Sequence, residues 1–439
     1  MSTKALISIV SLALLVLTGS GSAWAQQAAL TLDDCITLAL ANRAAIIRAR
    51  GAEQVAAAGK LNALGAFLPS VSASYNYSKG KETNIEPADT IGGEVIDEQD
   101  IGPSKRWSIS GDMALFDVSS WFNYAAARAD HQRSKLDVMA SEQDMILAVK
   151  IAYYAYLASE ENLDVQKEAV KRAEEQLKLI QSRFDLGSAS LSDVLKQKVQ
   201  YGNDRLGLLR AENGVTNARA DLSYTIGLDP LKDHAFSSDY SVREYSGSLD
   251  EAIAFGLENN PTLRSTEKSL AAASADVKSA WAAYLPTVGL FADYQKFNGT
   301  QAFPVAFDYS SNSLTYGFGV RLNIFDGFLR ERTLTTAKVS RNNARADLAD
   351  TRNATVTNIK TAYLDIEQLK QQQSVSQENV AAAEEDLKIT QEKYNLGAAT
   401  ILDLLDAQVS LKTAQVGLIQ AEFDLNLAVS RLEAALGKR

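Results

Sequence analysis

Two hydrophobic periods alternate along this chain, in the same order in each half. Residues 31–67 and 249–284 are Ala-rich and amphipathic, and each segment stops at a Leu-Pro pair, Leu68-Pro69 and Leu285-Pro286. Proline disfavours helix at the residue before it, so both pairs read as helix ends. Beyond each pair the period drops to two. Val71, Ala73, Tyr75 and Tyr77 alternate with Ser70, Ser72, Ser74 and Asn76; Trp107, Ile109, Met113 and Leu115 run against Ser108, Ser110 and Asp112. In the second half Val288, Leu290, Ala292 and Tyr294 share a parity. There too, Leu314, Tyr316, Phe318, Val320, Leu322 and Ile324 run against Thr315, Gly317, Gly319, Arg321 and Asn323. Such alternation predicts strands with one apolar and one polar face. Polar loops over 79–105 and 296–313, each with Gly and Pro, join the strands of each pair.

A third pattern follows each strand pair. Residues 119–185 and 328–395 contain neither Gly nor Pro. An uninterrupted helix of that length is about 100 Å long. Its last part carries heptad spacing: Val170, Ala173, Leu177, Ile180 and Phe184 in one half, and Val380, Ala383, Leu387, Thr390 and Tyr394 in the other. These are coiled-coil seams. Each long helix then reaches a repeated turn. Arg-Phe-Asp-Leu-Gly at 183–187 matches Lys-Tyr-Asn-Leu-Gly at 393–397, an offset of 210 between Gly187 and Gly397. Glycine suits the left-handed residue that stops a helix. Ser190 and Thr400 follow as N-caps, with Asp193 and Asp403 three residues on, a capping-box arrangement. Return helices over 190–227 and 400–437 complete two helical hairpins. A repeat this long divides the chain into 26–227 and 249–439, joined by a Gly-, Pro- and Ser-containing connector over 228–248.

Composition narrows the setting. Lys4, the apolar run Leu6–Leu17 and Ala23-Trp24-Ala25 have the form of an export signal over residues 1–25, with mature protein from Gln26. The alternative, an N-terminal anchor, suffers from the short core ended by Thr18-Gly19-Ser20, and no Cys follows the cleavage site to take a lipid. No later apolar run approaches the ~20 residues of a membrane helix. The net charge of −10 disfavours nucleic acid and anionic lipid surfaces as partners. Cys35 is the single cysteine, and His131 and His234 lie far apart, so no metal or other cofactor is expected.

Four strands of roughly ten residues have the length to cross a bilayer, yet barrels start at about eight strands and an open sheet leaves unpaired edges in lipid. Several copies must therefore share one barrel: two make eight strands, three make twelve, and a wide channel favours three. The long apolar stripes need cover as well, and helices from several subunits side by side provide it.

The order helix, Leu-Pro, hairpin, very long helix, Leu-Gly turn and helix, given twice, resembles the outer membrane efflux protein family, the TolC-like channels. Its most specific pieces are Tyr394-Asn395-Leu396-Gly397 and Asp403-Leu404-Leu405-Asp406-Ala407-Gln408. The resemblance implies a mixed, mainly α fold: a long α-helical coiled-coil barrel with a transmembrane β-barrel of four strands per chain and twelve per trimer. It implies an outer-membrane exit duct whose helical part lies in the periplasm, serving a periplasmic adaptor and an inner-membrane pump of RND, ABC or MFS type.

The resemblance also implies site residues. Asp403 and Asp406 match carboxylates that ring the periplasmic constriction, and three copies put six near one axis, a cation-attracting throat. Asp403 equally suits a helix start whatever the function, so Asp406 carries more of the pore reading. Lys196 stands at the position in the first hairpin equivalent to Asp406. Tyr394, Asp193 and Ser192 match the network that holds the tip shut, although Tyr394 also fits as a plain heptad core residue. Ala399 stands where relatives can carry a latching Arg. Leu186, Gly187, Leu396 and Gly397 match the adaptor-contacting turns; helix capping accounts for the glycines without an adaptor. Tyr75, Tyr77, Trp107 and Tyr316 suit a membrane girdle. The competing function class is a periplasm-spanning coiled-coil tether, which the four alternating strands disfavour. The chain lacks a phosphate-binding loop, nucleophile elbow or zinc motif, so an enzyme is not expected.

Overall fold

The computed structural model describes residues 29–82, 99–238, 245–301 and 307–438. The signal-segment reading falls outside them. The chain order is α1 Leu32–Asn42, α2 Ala44–Gly65, β1 Ser70–Glu82, β2 Gln99–Phe116, α3 Val118–Asp185 and α4 Leu191–Thr225. It then repeats as α5 Leu249–Asn259, α6 Pro261–Ala282, β3 Thr287–Gln301, β4 Phe307–Arg321, α7 Leu329–Asn395 and α8 Ile401–Leu436. The two Gly- and Pro-free segments form single helices of 68 and 67 residues. No helix among the described residues is long and apolar enough to cross a membrane.

Two expectations need correction. Each leading segment is a pair of helices. Arg43 leaves helical geometry (φ −75°, ψ 131°) between α1 and α2, and Asn260 does the same (φ −61°, ψ 119°) between α5 and α6. The second break is chemically explicit: Pro261 opens α6, and the Asn260 side chain accepts from Leu263 N at 3.0 Å. The loops are also shorter than 79–105 and 296–313, because all four strands run on into them. Toward those ends Lys105, Lys296, Asn298 and Ser310 enter the apolar face while Phe297 and Tyr309 sit on the other, so the alternation fades while the backbone ladder continues.

The strands form one antiparallel sheet in the order β1-β2-β3-β4. Its register aligns the alternation across all four. Ala73, Ile109, Tyr294 and Leu314 lie in one row, and Tyr75, Trp107, Lys296 and Asn312 lie in the next. One face is therefore apolar over most of its length. The other carries Ser74 and Ser108 in contact at 2.8 Å, Ser78 and Ser104 at 2.7 Å, and Ser110 donating to Asp293 at 2.7 Å. β1 and β4 are edges, with no further partner strand among the described residues.

Contacts divide the chain into two compact units that cut across the repeat. Among the described residues, one comprises 29–43, 145–238 and 366–430; the other comprises 44–82, 99–144, 245–301, 307–365 and 431–438. The first has a core of Cys35, Val149, Tyr153, Tyr156, Leu222, Ile226 and Phe236. The connector is drawn onto it: Leu30 N donates to Ala235 O and Ser237 N to Leu30 O, both at 2.9 Å, and the Tyr153 hydroxyl donates to Ser237 O at 2.7 Å. The second unit holds the sheet. There the end of α8 locks the α5–α6 joint, with Asn260 Nδ2 donating to Ala435 O at 3.0 Å.

Candidate functional site

The two hairpin turns are the same structure made twice. Gly187 and Gly397 sit at φ +74° and +77°, a region that side-chain-bearing residues avoid. Gly187 N donates to Phe184 O and Ser188 N to Arg183 O, both at 2.8 Å; Gly397 N donates to Tyr394 O at 3.1 Å and Ala398 N to Lys393 O at 2.8 Å. These bonds satisfy the last carbonyls of α3 and α7. Leu186 and Leu396, 83% and 85% exposed, project from the two turns. Neither leucine side chain takes part in the capping bonds.

The return helices start on capping boxes. Asp193 accepts from Ser190 Oγ at 2.8 Å and from Ser190 N at 3.3 Å. Asp403 accepts from Thr400 N and Thr400 Oγ1, both at 2.8 Å. These bonds, the backbone one foremost, hold the Asp403 carboxyl below its usual range. Both carboxylates thus serve their own helices first. Asp406 is exposed on the same side of α8 as Asp403 and makes no ion pair among the described residues. The opposite side of α8 is buried. Ile401, Leu404 and Leu405 form a small core with Ile180 and Val194, and Leu177, Leu387 and Tyr394 pack against it. The two hairpins of one chain are glued together there.

Two polar links reinforce that core, and sequence reasoning found neither. Arg183 Nη2 donates to Asn395 Oδ1 at 3.0 Å, and its guanidinium carbon lies 5.4 Å from the centre of the Tyr394 ring. Burial pushes the Tyr394 hydroxyl up, Arg183 opposes that, and the nearby Asp193 carboxylate adds to the rise. Arg183 is thus the group that touches Tyr394, while the Asp193 carboxylate acts on it through charge alone and is bonded to Ser190. Further along the hairpins, Lys412 Nζ meets Asp204 Oδ1 at 2.7 Å, and Gln200 Nε2 donates to the other Asp204 oxygen at 3.0 Å. Ser192 lies apart from these links. It lines an open groove of about 560 Å³ with Leu191, Leu195, Lys196, Val199 and Leu405. Lys196 thus sits along α4 while Asp406 sits on α8. The only hint of Arg183 in the sequence was its place in the repeated turn, opposite Lys393.

On the sheet, Tyr75, Tyr77, Trp107 and Tyr316 all lie on the apolar face and are exposed. The Tyr75 and Trp107 rings are 4.6 Å apart. Tyr316 shares a row with Ala292, two rows nearer the helix-bearing end than Tyr75 and Trp107. The first three residues make a cluster and Tyr316 stands below it.

This geometry has relatives. The outer membrane efflux protein BepC of Brucella suis biovar 1 is 25% identical over 440 residues, 99% of this chain and 91% of that protein. The pyoverdine export outer membrane protein OpmQ of Pseudomonas putida is 26% identical over 436 residues, 94% of this chain and 86% of that protein. The crystal structure of the outer membrane protein VceC from Vibrio cholerae superposes with a TM-score of 0.76 at 19% identity, covering 93% of this chain and 96% of that one. The family profile named outer membrane efflux protein matches twice, over residues 35–228 and 255–438. With both halves of the circuit matched, this chain belongs to the outer membrane efflux protein family.

Proposed function

We propose that three copies of this chain form an exit duct in the outer membrane. The duct passively conducts substrates that an inner-membrane pump and a periplasmic adaptor deliver to the helical hairpins. The observation that carries this reading is the sheet: four strands, apolar on one face and serine-rich on the other, with β1 and β4 left open. In lipid an open edge is untenable, so β4 of one copy must pair with β1 of the next until the ring closes. Twelve strands enclose a water-filled lumen, lined by the serine-rich face.

The hairpin turns are the gate in this reading. Asp406 from three copies forms the throat, with Asp403 beside it as a cap residue whose charge adds to the field. Tyr394, Asp193 and Arg183 hold each inner hairpin to its outer neighbour, and Ser192 lies on the groove where another hairpin docks. Leu186 and Leu396 meet the adaptor. Tyr75, Tyr77 and Trp107 anchor the barrel at one membrane interface. The two repeats, 26–227 and 249–439, each supply one membrane-to-turn circuit, with residues 228–248 as the connector. The class of pump is set by the partner proteins.

The test is the conductance of the purified protein in a planar bilayer, together with its mass in detergent. A trimer that conducts cations in preference to anions supports the reading. A monomer, or a trimer that stays silent after Asp403→Ala and Asp406→Ala, overturns it.

A further inference from the structure

The apolar face of the sheet does not stay apolar to its outer end. Next to the row Tyr75, Trp107, Lys296, Asn312 comes the row Tyr77, Lys105, Asn298, Ser310. Lys105 lies opposite Asn298 and Lys296 opposite Trp107, so the two lysines are diagonal neighbours on one face of β2 and β3. Diagonal positions are about 7–8 Å apart at the backbone, a spacing that lets both ammonium groups reach one anion. Both side chains are exposed, and neither makes an ion pair among the described residues.

The lysines open onto a recess of about 500 Å³ shared with Asn298, Thr300, Asp308 and Ser310. Its polar groups are partly committed. Asn298 Oδ1 accepts from Ser310 Oγ at 2.8 Å, which leaves the Asn298 amide nitrogen to donate outward. Asp308 Oδ1 accepts from Thr300 Oγ1 at 2.9 Å, so the one carboxylate that lines the recess among the described residues is engaged, and the two lysines outnumber it.

Three features say what the recess takes. It lies on the face that carries Ile109, Tyr294 and Leu314, the face that meets lipid when the sheet closes. It lies at the hairpin-loop end of the strands, away from the end that continues into α3 and α7. Its two lysines share their rows with the aromatic residues Tyr75, Trp107 and Tyr77, the level at which acyl chains give way to headgroups. A lysine on a lipid-facing strand is costly at mid-bilayer and nearly free at the interface. We infer that Lys105 and Lys296, with the Asn298 amide, seat a phosphate group of an outer-leaflet lipid whose acyl chains lie along Trp107, Ile109 and Tyr294. Soluble anions in the lumen would meet the opposite face. The net charge of −10 argues against anionic lipid as a general partner, but this recess is locally positive, with two lysines against one engaged carboxylate among the described residues. The inference rests on the outer-membrane channel reading and deepens it.

The test uses the purified full-length trimer in detergent. Native mass spectrometry counts bound lipid A carrying both phosphates, the same lipid after phosphatase treatment, and inorganic phosphate as a competitor. The wild type should prefer the phosphorylated lipid by about tenfold or more. Lys105→Gln with Lys296→Gln should abolish that preference, and Lys105→Arg with Lys296→Arg should keep it. The inference is overturned if the Gln pair retains the preference, or if millimolar inorganic phosphate displaces the lipid. Should the Gln pair fail to assemble, each single Gln variant should still lose part of the preference; an unchanged preference in both overturns the inference. Conductance should be the same in all variants, and its loss in the wild type would defeat the channel reading instead.

Discussion

Arg183 of the first hairpin donates to Asn395 of the second across 3.0 Å, with Tyr394 under its guanidinium group. The contact joins the last helical turns of α3 and α7 within one chain, beside the turns that are proposed to gate the duct. A planar guanidinium can hold an amide oxygen and cover a ring together, which a lysine cannot do as well. Arg183→Ala should loosen the inner hairpin, raising mean single-channel conductance and shortening closed times. Arg183→Lys should fall between the two. Equal conductance in wild type and Arg183→Ala would remove this contact from the gate.

Asp403 and Asp406 should separate experimentally. Asp406 is exposed and uncommitted, so Asp406→Asn should reduce cation preference while leaving the thermal transition unchanged. Asp403 caps its own helix through Thr400, so Asp403→Asn should lower the transition temperature as well as reduce the preference. Reversal potentials in a salt gradient and thermal melts of both variants make the comparison.

Acid should weaken several helix starts at once. Hydrogen bonds from Thr31, Ser248 and Thr400 hold the carboxyls of Asp34, Glu251 and Asp403 below their ordinary values of 3.8, 4.5 and 3.8. A depressed carboxyl stabilises the fold fully above its unfolded value and loses that contribution as pH falls through the folded one. The caps should therefore hold at pH 5 and above and fail progressively below about pH 4. The combined Thr31→Val, Ser248→Ala and Thr400→Val variant should show a smaller drop in melting temperature between pH 5 and pH 3 than the wild type.

The Asp204–Lys412 pair should be costly to halve. Asp204 is only 4% exposed and its second oxygen is occupied by Gln200. Removing one member of a buried pair costs about 3–5 kcal/mol, and partial exposure of Lys412 lowers the expectation here to roughly 2–3 kcal/mol. Asp204→Leu with Lys412→Met should recover most of the loss. A double-mutant cycle on urea unfolding measures the coupling, and additive single effects would show that the pair is not coupled.

Cys35 should be a silent thiol in the folded protein. It lies at zero exposure in the core of the first unit, and burial pushes its pKa up to about 12. Thiol reagents at pH 8 should label it only after unfolding, so labelling rates report opening of that core. Above pH 9 the unfolded chain ionises and the folded one does not, so stability should decline between about pH 9 and 12. Fast labelling of the native protein would contradict the packing around Tyr153 and Leu222.

Much of this architecture was legible because its signals are local. Period two marks Ser70–Tyr77 and Leu314–Val320 because successive strand residues face opposite ways, and the register put those parities on one face; Leu322 and Ile324, expected to continue the pattern, lie beyond the end of β4 at Arg321. The helix ends at Gly187 and Gly397 were legible because a left-handed residue followed by a capping box leaves fixed residue types at fixed spacing. The break at Asn260-Pro261 has an equally local signal, the proline, but the apolar periodicity continues through it and masks the break. Arg43 offered no such signal. Its position between α1 and α2 depends on a hydrogen bond to Tyr224 O at 2.9 Å and stacking on the Tyr224 ring.

Period, punctuation and repetition in the chain were enough to specify two copies of a helix–hairpin–helix–turn–helix circuit and the need for further copies to close the sheet. They also supplied the turn residues and the carboxylates beside them, since those follow from spacing within a few positions. Which residues cooperate was decided only in three dimensions. Arg183 and Asn395 are 212 positions apart, Lys412 and Asp204 are 208 apart, and Lys105 and Lys296 meet only through the β2–β3 register. No periodicity connects such positions, because their proximity is set by how one helix rotates against another and how one strand slides along its neighbour.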